Sequence, residues 1–278
     1  MTLQEALVQG TKLLENAGIS VPRLTAEVLL SHAFLCERPF LYAHPEQELR
    51  EVEWIHYGRY LHERLNGKPT QYITGRQEFY GREFRVTPDV LIPRQETELV
   101  VETALEVSRG ARRILDAGSG SGAIAITLQL ETHAMVCGTD ISSAALAVAA
   151  ENARKLCART EFVCCDLMSA IAASSMDLVV SNPPYVPEAE RESLQREVRD
   201  HEPGLALFAG PTGFEIYERL VADAERVLRP GGWLVLELGY KSRERVLEMF
   251  GSCWRDVRVV PDLAGIPRVL AARMEGER

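Results

Sequence analysis

The first 75 residues carry apolar side chains at helical spacing. Leucine, valine and isoleucine recur three or four positions apart, as they do on the buried face of an amphipathic helix. Gly18 with Pro22, and Gly67 with Pro69, stand where such helices are expected to end and begin again. We therefore predict a bundle of three or four helices over residues 1–75, forming a small N-terminal domain.

The pattern changes after this bundle. From Phe79 to Val86 strand-forming residues flank the glycine turn at Gly81, and Thr87-Pro88-Asp89 follows as a second turn signal. This order is typical of a β-hairpin. We predict a hairpin linker over residues 76–95.

From residue 96 onward, short apolar runs alternate with helical patterns, which is typical of a parallel sheet with helices on both faces. The last two runs are joined through Asp262 to Gly265 and predict an antiparallel pair. The expected class is α/β, with a Rossmann-like, mostly parallel sheet over residues 96–278. Its strands are predicted at Ile114–Ala117, Ala134–Thr139, Glu161–Cys165, Met176–Ser181, Trp233–Leu238, Val257–Val260 and Arg268–Arg273, and its helices at Gly122–Leu130, Ser143–Leu156, Gly213–Leu228 and Ser242–Phe250. The proline and two glycines of Arg229–Gly232 predict a turn before the strand Trp233–Leu238.

The overall charge disfavours a partner that is recognised through phosphates. The chain has 31 basic and 40 acidic side chains and a formal net charge of −9, whereas phosphate binding draws on clustered Lys and Arg. We expect no direct nucleic-acid partner. The first residues lack the basic and then apolar order of a signal peptide, and no apolar run approaches the roughly 20 residues that span a bilayer. The expectation is a cytoplasmic protein without membrane contact.

Cysteine and histidine positions indicate no metal site. The six cysteines include no paired C-x-x-C motif, and no two of the six histidines stand at the i, i+4 spacing of a helical metal site. We expect no metal and no disulfide framework.

The loop after the first predicted strand of the sheet is a candidate cofactor site. Its three glycines let a ligand approach the backbone where the next helix begins with free N–H groups. The loop also satisfies the G-x-G-x-x-A dinucleotide fingerprint, so a nicotinamide or flavin oxidoreductase stays open. The acidic residue two positions before the first glycine favours a methyl donor. The predicted contacts are Asp116, Gly118, Ser119, Gly120, Ser121 and Gly122.

Two later strand ends carry carboxylates. Asp140 ends the second strand, about 20 residues past the loop, where it can accept hydrogen bonds from both ribose hydroxyls. Asp166 follows the third strand, where it can accept from an adenine amino group while Leu167 supplies an apolar face. Capping of a following helix is the alternative for Asp166.

The segment from Asn182 to Tyr185 follows the fourth strand and indicates the acceptor. A planar NH2 group is a poor nucleophile, because its lone pair is delocalised, but it has two good N–H donors. The Asn182 side-chain oxygen and the Pro183 carbonyl can each accept one of them and orient the nitrogen for methyl transfer. Pro184 holds Pro183 extended, and Tyr185 can pack on the planar group. We predict that Asn182, Pro183 and Tyr185 are catalytic, that all four residues bind substrate, and that Asn182 also borders the cofactor.

Other functions share parts of this pattern. The four-residue segment can be only a turn that ends a strand. An amino-group methyltransferase that acts on adenine or guanine of DNA or RNA can use the same segment, but the net charge and the acidic stretch from Glu188 to Glu202 disfavour it. A dinucleotide oxidoreductase leaves Asn182 to Tyr185 without a role. A noncatalytic cofactor-binding module needs the glycine loop but not Asn182.

Together with several flanking strings, these motifs resemble the protein-(glutamine-N5) methyltransferases that modify peptide chain release factors, the HemK-like enzymes. The resemblance extends through most of the chain. It departs at Gln95, where members of the family more usually carry proline. The flanking strings are Pro69–Gly75, Glu78–Gly81, Leu91–Glu98, His201–Pro203 with Ala206, Leu207 and Gly210, and Asp262–Arg268.

The resemblance implies a class I methyltransferase fold and S-adenosyl-L-methionine as the donor, with S-adenosyl-L-homocysteine as the product. It implies, as the acceptor, the glutamine of the Gly-Gly-Gln loop in class I peptide chain release factors. The family's helical N-terminal domain helps to contact the release factor, so residues 1–75 are expected to do so here. The backbone near Pro93, Arg94 and Thr97 is expected to border the cofactor. We expect the chain to act as a monomer.

Overall fold

The computed structural model describes residues 1–275, and the chain divides into two compact units. The first unit comprises Met1–Arg76 and Gln195–His201, and the second comprises Gln77–Leu194 and the residues from Glu202 onward. The sequence did not predict that residues 195–201 belong with the helical unit, because so short a segment carries no periodic signal that links it to a distant bundle.

Every strand and helix that the hydrophobic pattern predicts after residue 96 is present, with shifts at its ends. The structure adds elements that were not predicted, namely helices at Glu98–Val107, Arg196–His201 and Gly204–Leu207 and strands at Val186–Pro187 and Phe208–Gly210. Two short 3₁₀ turns, Gln95–Thr97 and Glu188–Ser193, lie outside the helices. The helices are α1 (Leu3–Asn16), α2 (Pro22–Phe34), α3 (Arg38–Ala43), α4 (Glu51–Leu65), α5 (Thr70–Thr74), α6 (Glu98–Val107), α7 (Ala123–Glu131), α8 (Ser143–Lys155), α9 (Arg196–His201), α10 (Gly204–Leu207), α11 (Glu215–Val227) and α12 (Arg243–Leu247). The strands are β1 (Arg76–Phe79), β2 (Arg82–Arg85), β3 (Arg113–Ala117), β4 (Met135–Asp140), β5 (Glu161–Cys164), β6 (Met176–Ser181), β7 (Val186–Pro187), β8 (Phe208–Gly210), β9 (Leu228–Glu237), β10 (Trp254–Pro261) and β11 (Pro267–Met274).

The first unit is a helical bundle with an apolar core of its own. Helix α1 begins at a capping box, in which the Thr2 hydroxyl accepts from the Glu5 N–H and the Glu5 carboxylate accepts from the Thr2 N–H. Gly10 of α1 faces the buried Tyr57 of α4, and a Cβ at Gly10 would stand 2.0 Å from the tyrosine hydroxyl. The backbone of α1 therefore packs directly against the Tyr57 ring of α4. The predicted N-terminal helical bundle is confirmed.

A seven-stranded sheet forms the centre of the second unit, in the order β10-β11-β9-β6-β3-β4-β5. Strand β3 pairs in parallel with both β4 and β6, and parallel pairing continues outward to β5 and β9. Strand β11 is antiparallel to β9 and to β10. The predicted fold class, a mostly parallel sheet closed by an antiparallel pair, is confirmed. Because the chain adds β4 and β5 on one side of β3 and β6 and β9 on the other, the strand order reverses at β3.

Helices cover the sheet on both faces. Val100 of α6 and Ile126 of α7 belong to one fully buried cluster, and Tyr217 and Leu220 of α11 belong to a second. The hairpin β1–β2 contributes Phe79 and Phe84 to the first cluster. These two layers explain why four successive residues of β3, Ile114–Ala117, are all buried instead of alternating between buried and exposed.

One predicted turn lies inside a strand. Arg229 to Gly232 form an irregularity within β9, because Met176 of β6 pairs with Leu228 and Leu178 pairs with Trp233. The glycine and proline signal was therefore correct about a break in pairing but wrong about where the strand begins.

The part of the chain that the structure describes contains no helix with the length and apolar character needed to cross a membrane. Within residues 1–275, no group of three or more His, Cys, Asp or Glu side chains is arranged to hold a metal ion. All six cysteines are free thiols.

Candidate active site

The glycine loop and the segment that begins at Asn182 line one cavity of about 340 Å³ in the second unit. The cavity lies beyond the carboxyl ends of β3, β4, β5 and β6, where the strand order reverses, and parallel strands bring these ends to the same edge of a sheet. The predicted site residues that line it are Gly118, Ser119, Gly120, Ser121, Asp140, Asp166, Leu167, Asn182 and Pro184.

Gly118 and Gly120 open the backbone to this cavity. Their φ angles are 78° and 53°, in the region that residues with a side chain rarely adopt, and no atom lies within 4 Å of a Cβ built at either position. The Thr139 carbonyl of β4 accepts hydrogen bonds from the N–H groups of Gly118 and Ser119, at 2.8 Å each. The loop is thus held to the neighbouring strand while its outer face stays free of side chains.

Gly122, unlike Gly118 and Gly120, is packed against neighbouring side chains. A Cβ there would stand 2.9 Å from the Ile126 side chain, 3.1 Å from that of Ala149 and 3.3 Å from the Phe162 ring. Gly122 does not line the cavity, so its geometry supports close packing of α7 against α8 and β5. The predicted contact between Gly122 and a cofactor finds no support in this placement.

Asp116 also lies behind the cavity wall. It is fully buried, its Oδ2 accepts from the Ala125 N–H at 3.2 Å, and its backbone carbonyl accepts from the Ser119 hydroxyl. Burial raises the pKa of this carboxyl to about 7. Asp116 therefore holds the loop to the first turn of α7 instead of facing a ligand directly.

Asp140 stands at the rim of the cavity and fixes the loop in a second way. One carboxylate oxygen accepts from the Gly120 N–H at 2.9 Å, and the other accepts from the Ser142 N–H at 2.8 Å. A carboxylate has about four acceptor positions, so two of them stay available to a ligand. The predicted role toward ribose hydroxyls is compatible with this geometry.

Asp166 pairs with Arg219 across the cavity, with a distance of 2.6 Å between the guanidinium and the carboxylate. Both side chains are about half exposed. Residues 167–170 form a turn and no helix starts there, so the capping role that was considered for Asp166 does not apply. Leu167 adopts a left-handed conformation with φ of 46°.

A chain of buried hydrogen bonds holds Asn182. Its side-chain N–H donates to the Thr97 hydroxyl at 3.1 Å, and that hydroxyl donates to the Glu237 carboxylate at 2.6 Å. Thr97 is 4% exposed and Glu237 is 3% exposed. Burial raises the pKa of Glu237 to about 7. Neither side chain is part of the motif that the sequence singles out for the acceptor.

The other two residues that were predicted to be catalytic do not line the cavity. Pro183 is buried beneath it. The Tyr185 ring packs on Gly239, where a Cβ would stand 2.7 Å from the ring, and burial raises the pKa of the tyrosine to about 12. Tyr185 therefore supports the segment from behind, and its predicted contact with a planar substrate group stays a prediction.

Two segments that border the cavity are joined by Glu202. Its carboxylate accepts from the Ile92 N–H at 3.2 Å and from the Arg94 guanidinium at 2.5 Å. Residues 89–93 and 203–206 both contribute to the cavity wall. These two hydrogen bonds of Glu202 join the flanking strings Leu91–Glu98 and His201–Pro203. They give a physical reason for both strings, which the sequence alone left without a role.

Sequence reasoning missed much of the apolar wall. Ile141, 57% exposed, and Leu205, 71% exposed, line the cavity together with Phe208 and Ile216. For Ile141 a signal existed, because an apolar residue directly after the carboxylate at a strand end is well placed to cover a flat ring. Asn152 was also missed; it is buried and hydrogen-bonds to Arg85 of the hairpin and to the Ser121 carbonyl.

Comparison with sequence families gives two matches. Residues 5–75 match the family described as PrmC N-terminal domain, and residues 95–199 match the family described as Methyltransferase small domain. A protein named release factor glutamine methyltransferase from Koribacter versatilis (strain Ellin345) is 46% identical over 277 residues, which cover 98% of this chain and 99% of that protein. A protein of the same name from Bacillus subtilis (strain 168) is 39% identical and covers 98% of this chain and 97% of its own.

Solved structures show a similar fold. A Thermus thermophilus structure, described as a 16S rRNA N2 G1207 methyltransferase in complex with AdoMet and guanosine, aligns with a TM-score of 0.51. The alignment covers 72% of this chain and 50% of that one, at 20% sequence identity. At this identity the similarity supports the methyltransferase fold and nothing finer.

Proposed function

The chain belongs to the family of release factor glutamine methyltransferases, and from this premise we propose that it methylates the side-chain amide nitrogen, N5, of a release-factor glutamine. The donor is S-adenosyl-L-methionine and the product is S-adenosyl-L-homocysteine. The acceptor is the glutamine of the Gly-Gly-Gln loop in class I peptide chain release factors.

One observation carries the proposal. Asn182 lines the same cavity as the glycine loop, and its N–H group is already engaged by Thr97. Among the described residues, no donor reaches the Asn182 side-chain oxygen. That oxygen is therefore available as an acceptor, and a primary amide offers two N–H donors to such a group.

The cavity fits the methyl donor by the chemistry of its lining. Gly118 and Gly120 provide an open cradle that any Cβ would begin to fill, and Asp140 keeps acceptor positions for ribose hydroxyls. Leu167 and Ile141 provide apolar surface for a flat base. When bound, S-adenosyl-L-methionine supplies a methyl group on a positively charged sulfur.

The acceptor side acts by orientation and charge stabilisation. We assign the Asn182 oxygen to accept one amide N–H, which orients the nitrogen. The second N–H was predicted to donate to the Pro183 carbonyl, and that part stays a prediction because Pro183 does not line the cavity. Methyl transfer would form the carbon–nitrogen bond as the carbon–sulfur bond breaks, so positive charge moves from the sulfur to the nitrogen. The nitrogen then loses one of its acidified protons to water and becomes a neutral methylamide. Fixed acceptors at that position stabilise the charge without reorganisation, so no strong base is needed in contact with the amide.

We propose that the first unit binds the release factor. It corresponds to the part of the chain that matches the PrmC N-terminal domain, residues 5–75. We propose that the chain acts as a monomer. Release factors act in the cytoplasm, which is where we place the reaction.

The test is a labelling experiment. The purified protein is incubated with methyl-labelled S-adenosyl-L-methionine and a class I release factor, beside the same factor with its loop glutamine replaced by alanine. Mass spectrometry then locates the label. Label on the loop glutamine, and none on the alanine variant, is the expected result.

The alternatives predict other outcomes. A nucleic-acid amino-group methyltransferase would leave the release factor unlabelled but transfer label to DNA or RNA. A noncatalytic module would bind the donor and transfer nothing. A protein that binds nicotinamide dinucleotides instead of the methyl donor would contradict the proposal at its first step.

A further inference from the structure

The orientation of the Asn182 amide depends on two buried residues outside the acceptor motif. We propose that Glu237, acting through Thr97, is a positioning residue that keeps the oxygen of the Asn182 side chain turned toward the substrate. The inference rests on the proposed function, because the group that donates to the Asn182 oxygen is taken to be the amide that is methylated. Glu237 lies two hydrogen bonds away from Asn182, the residue that is proposed to contact the substrate.

The three residues come from separate elements. Asn182 follows β6, Thr97 ends the 3₁₀ turn before α6, and Glu237 is the last residue of β9. They meet because β6 and β9 are neighbours in the sheet, with Ser181 opposite Leu236. The contact distances of 3.1 Å and 2.6 Å fall in the range of normal hydrogen bonds.

The order of donors and acceptors follows from the chemistry of the carboxylate. An ionised Glu237 can only accept, so the Thr97 hydroxyl must direct its proton to Glu237. The hydroxyl oxygen then has only acceptor capacity left for Asn182. Asn182 must therefore present its NH2 group to Thr97, which leaves its oxygen for the substrate.

A protonated Glu237 removes this constraint. It can donate to the Thr97 oxygen, which frees the hydroxyl proton to point at Asn182. The amide can then turn its oxygen toward Thr97 and its NH2 toward the cavity. An NH2 group cannot accept the substrate N–H, so this orientation is unproductive.

The surroundings of Glu237 place this change in an accessible pH range. Burial is the main cause of the raised pKa, which is about 7. Arg268 and Arg94 favour the ionised form, whereas Glu96 opposes it. The buried phenols of Tyr185 and Tyr217 are the other titratable groups that interact with Glu237. Turnover is therefore expected to fall as the pH drops through about 7.

Thr97→Val and Thr97→Ser form the matched pair for the first experiment. Valine has nearly the shape of threonine but lacks the hydroxyl, so kcat for release-factor methylation should fall roughly 100-fold through misplacement of the acceptor. Serine keeps the hydroxyl, and its kcat should stay within about threefold of the wild type. The KM for the release factor and the calorimetric Kd for the donor should change by less than about threefold in both variants. A serine variant as impaired as the valine variant would show that Thr97 acts through packing and would overturn the inference.

Glu237→Gln tests the carboxylate itself. A neutral amide at this position can donate or accept toward Thr97, so kcat should be lowered at pH 8, and the fall in turnover with a midpoint near 7 should disappear. Asp116 also has a pKa of about 7 and is unchanged in this variant, so a fall in turnover caused by Asp116 would remain. A pH profile identical to that of the wild type would therefore assign the effect to Asp116 and contradict the role of Glu237.

A second readout needs no turnover. The chain has four asparagines, at positions 16, 66, 152 and 182, so selective ¹⁵N-asparagine labelling gives four side-chain NH2 pairs, and Asn182→Ala identifies one of them. The Asn182 pair should titrate near pH 7 in the wild type and should not titrate in Glu237→Gln. A pair that is insensitive to pH in the wild type would overturn the inference. Because this measurement uses the protein without a release factor, it stays valid if the proposed substrate proves wrong.

Discussion

The two walls of the cavity are built on different principles. The glycine-loop wall is made of backbone that is contiguous in sequence, and its N–H groups are held by a neighbouring carbonyl and by Asp140. The acceptor wall is made of side chains, since Asn182 depends on Thr97 and Glu237 from distant parts of the chain. We infer that the first wall binds the donor through shape and that the second orients the acceptor through buried charge. A change in the second wall is therefore expected to affect turnover before binding.

Asn182→Ala should separate the two walls most strongly. Loss of the oxygen removes an acceptor that acts on the reacting nitrogen, and removal of one such group from a preorganised site typically costs about 100- to 1000-fold in kcat. The donor Kd should change by only a few fold, because the glycine loop is intact. Single-turnover kinetics and calorimetric titration measure the two quantities. Glu244→Ala, at an exposed position of the second unit that does not line the cavity, is the control. Undiminished turnover would refute the assigned mechanism.

Glu237→Gln should reveal the charge that is buried in the acceptor wall. The pKa of Glu237 is raised to about 7 in the folded protein, so between pH 4.5 and 7 the folded state keeps a proton that the unfolded state releases. Stability therefore falls as the pH rises through this window, by at most about 3 kcal/mol for this group. The glutamine variant should lack that part of the slope.

Urea unfolding at pH 5 and pH 8 measures this difference. Glu244→Gln, at an exposed position on α12, is the matched control and should keep the wild-type slope. If Glu237→Gln and Glu244→Gln showed the same dependence on pH, Glu237 would not carry a buried charge.

Asp140→Ala tests the backbone wall through its one charged side chain. The substitution removes the acceptor for two N–H groups and for the proposed ribose hydroxyls, so donor binding should weaken by roughly 1 to 3 kcal/mol. Asp140→Asn keeps one acceptor oxygen and should fall between the alanine variant and the wild type. At a saturating donor concentration kcat should recover most of its wild-type value. Normal donor affinity in a calorimetric titration would remove Asp140 from the site.

The sequence predicted the backbone wall more fully than the acceptor wall, for a physical reason. A glycine loop between a strand and a helix is local, so its residue types and spacing show what the backbone must do. The hydrogen bond from Thr97 to Glu237 joins positions 140 residues apart, and neither residue type is unusual where it stands. Such a pair becomes visible only when the order of strands in the sheet is known. The same holds for the hydrogen bonds that Glu202 accepts from Ile92 and Arg94.

Local prediction also failed where one residue type serves two purposes. Gly118, Gly120 and Gly122 are alike in sequence, yet two of them face open space and the third is packed against Ile126, Ala149 and Phe162. Asp116 and Asp140 both lie within the last two residues of their strands, but one is fully buried and the other reaches the rim. The fold was predictable because the hydrophobic period sets layers and strand direction. Exposure of a single side chain is set by tertiary packing, which cannot be read from the spacing of hydrophobic residues.

Gly120→Ala is expected to give the smallest effect, and Gly110→Ala is its matched control. Both glycines have positive φ, 53° and 87°, and neither has an atom within 4 Å of a built Cβ. Each alanine should therefore cost about 1 kcal/mol of unfolding free energy through backbone strain. Of the two glycines, only Gly120 lines the cavity. A ligand that approaches the backbone leaves no space for a Cβ, so a methyl group at Gly120 should weaken donor binding by roughly tenfold. The Gly110 variant should bind the donor normally. Equal donor affinity in the two variants, with equal loss of stability, would show that the loop serves only the turn and that the backbone wall does not contact the ligand.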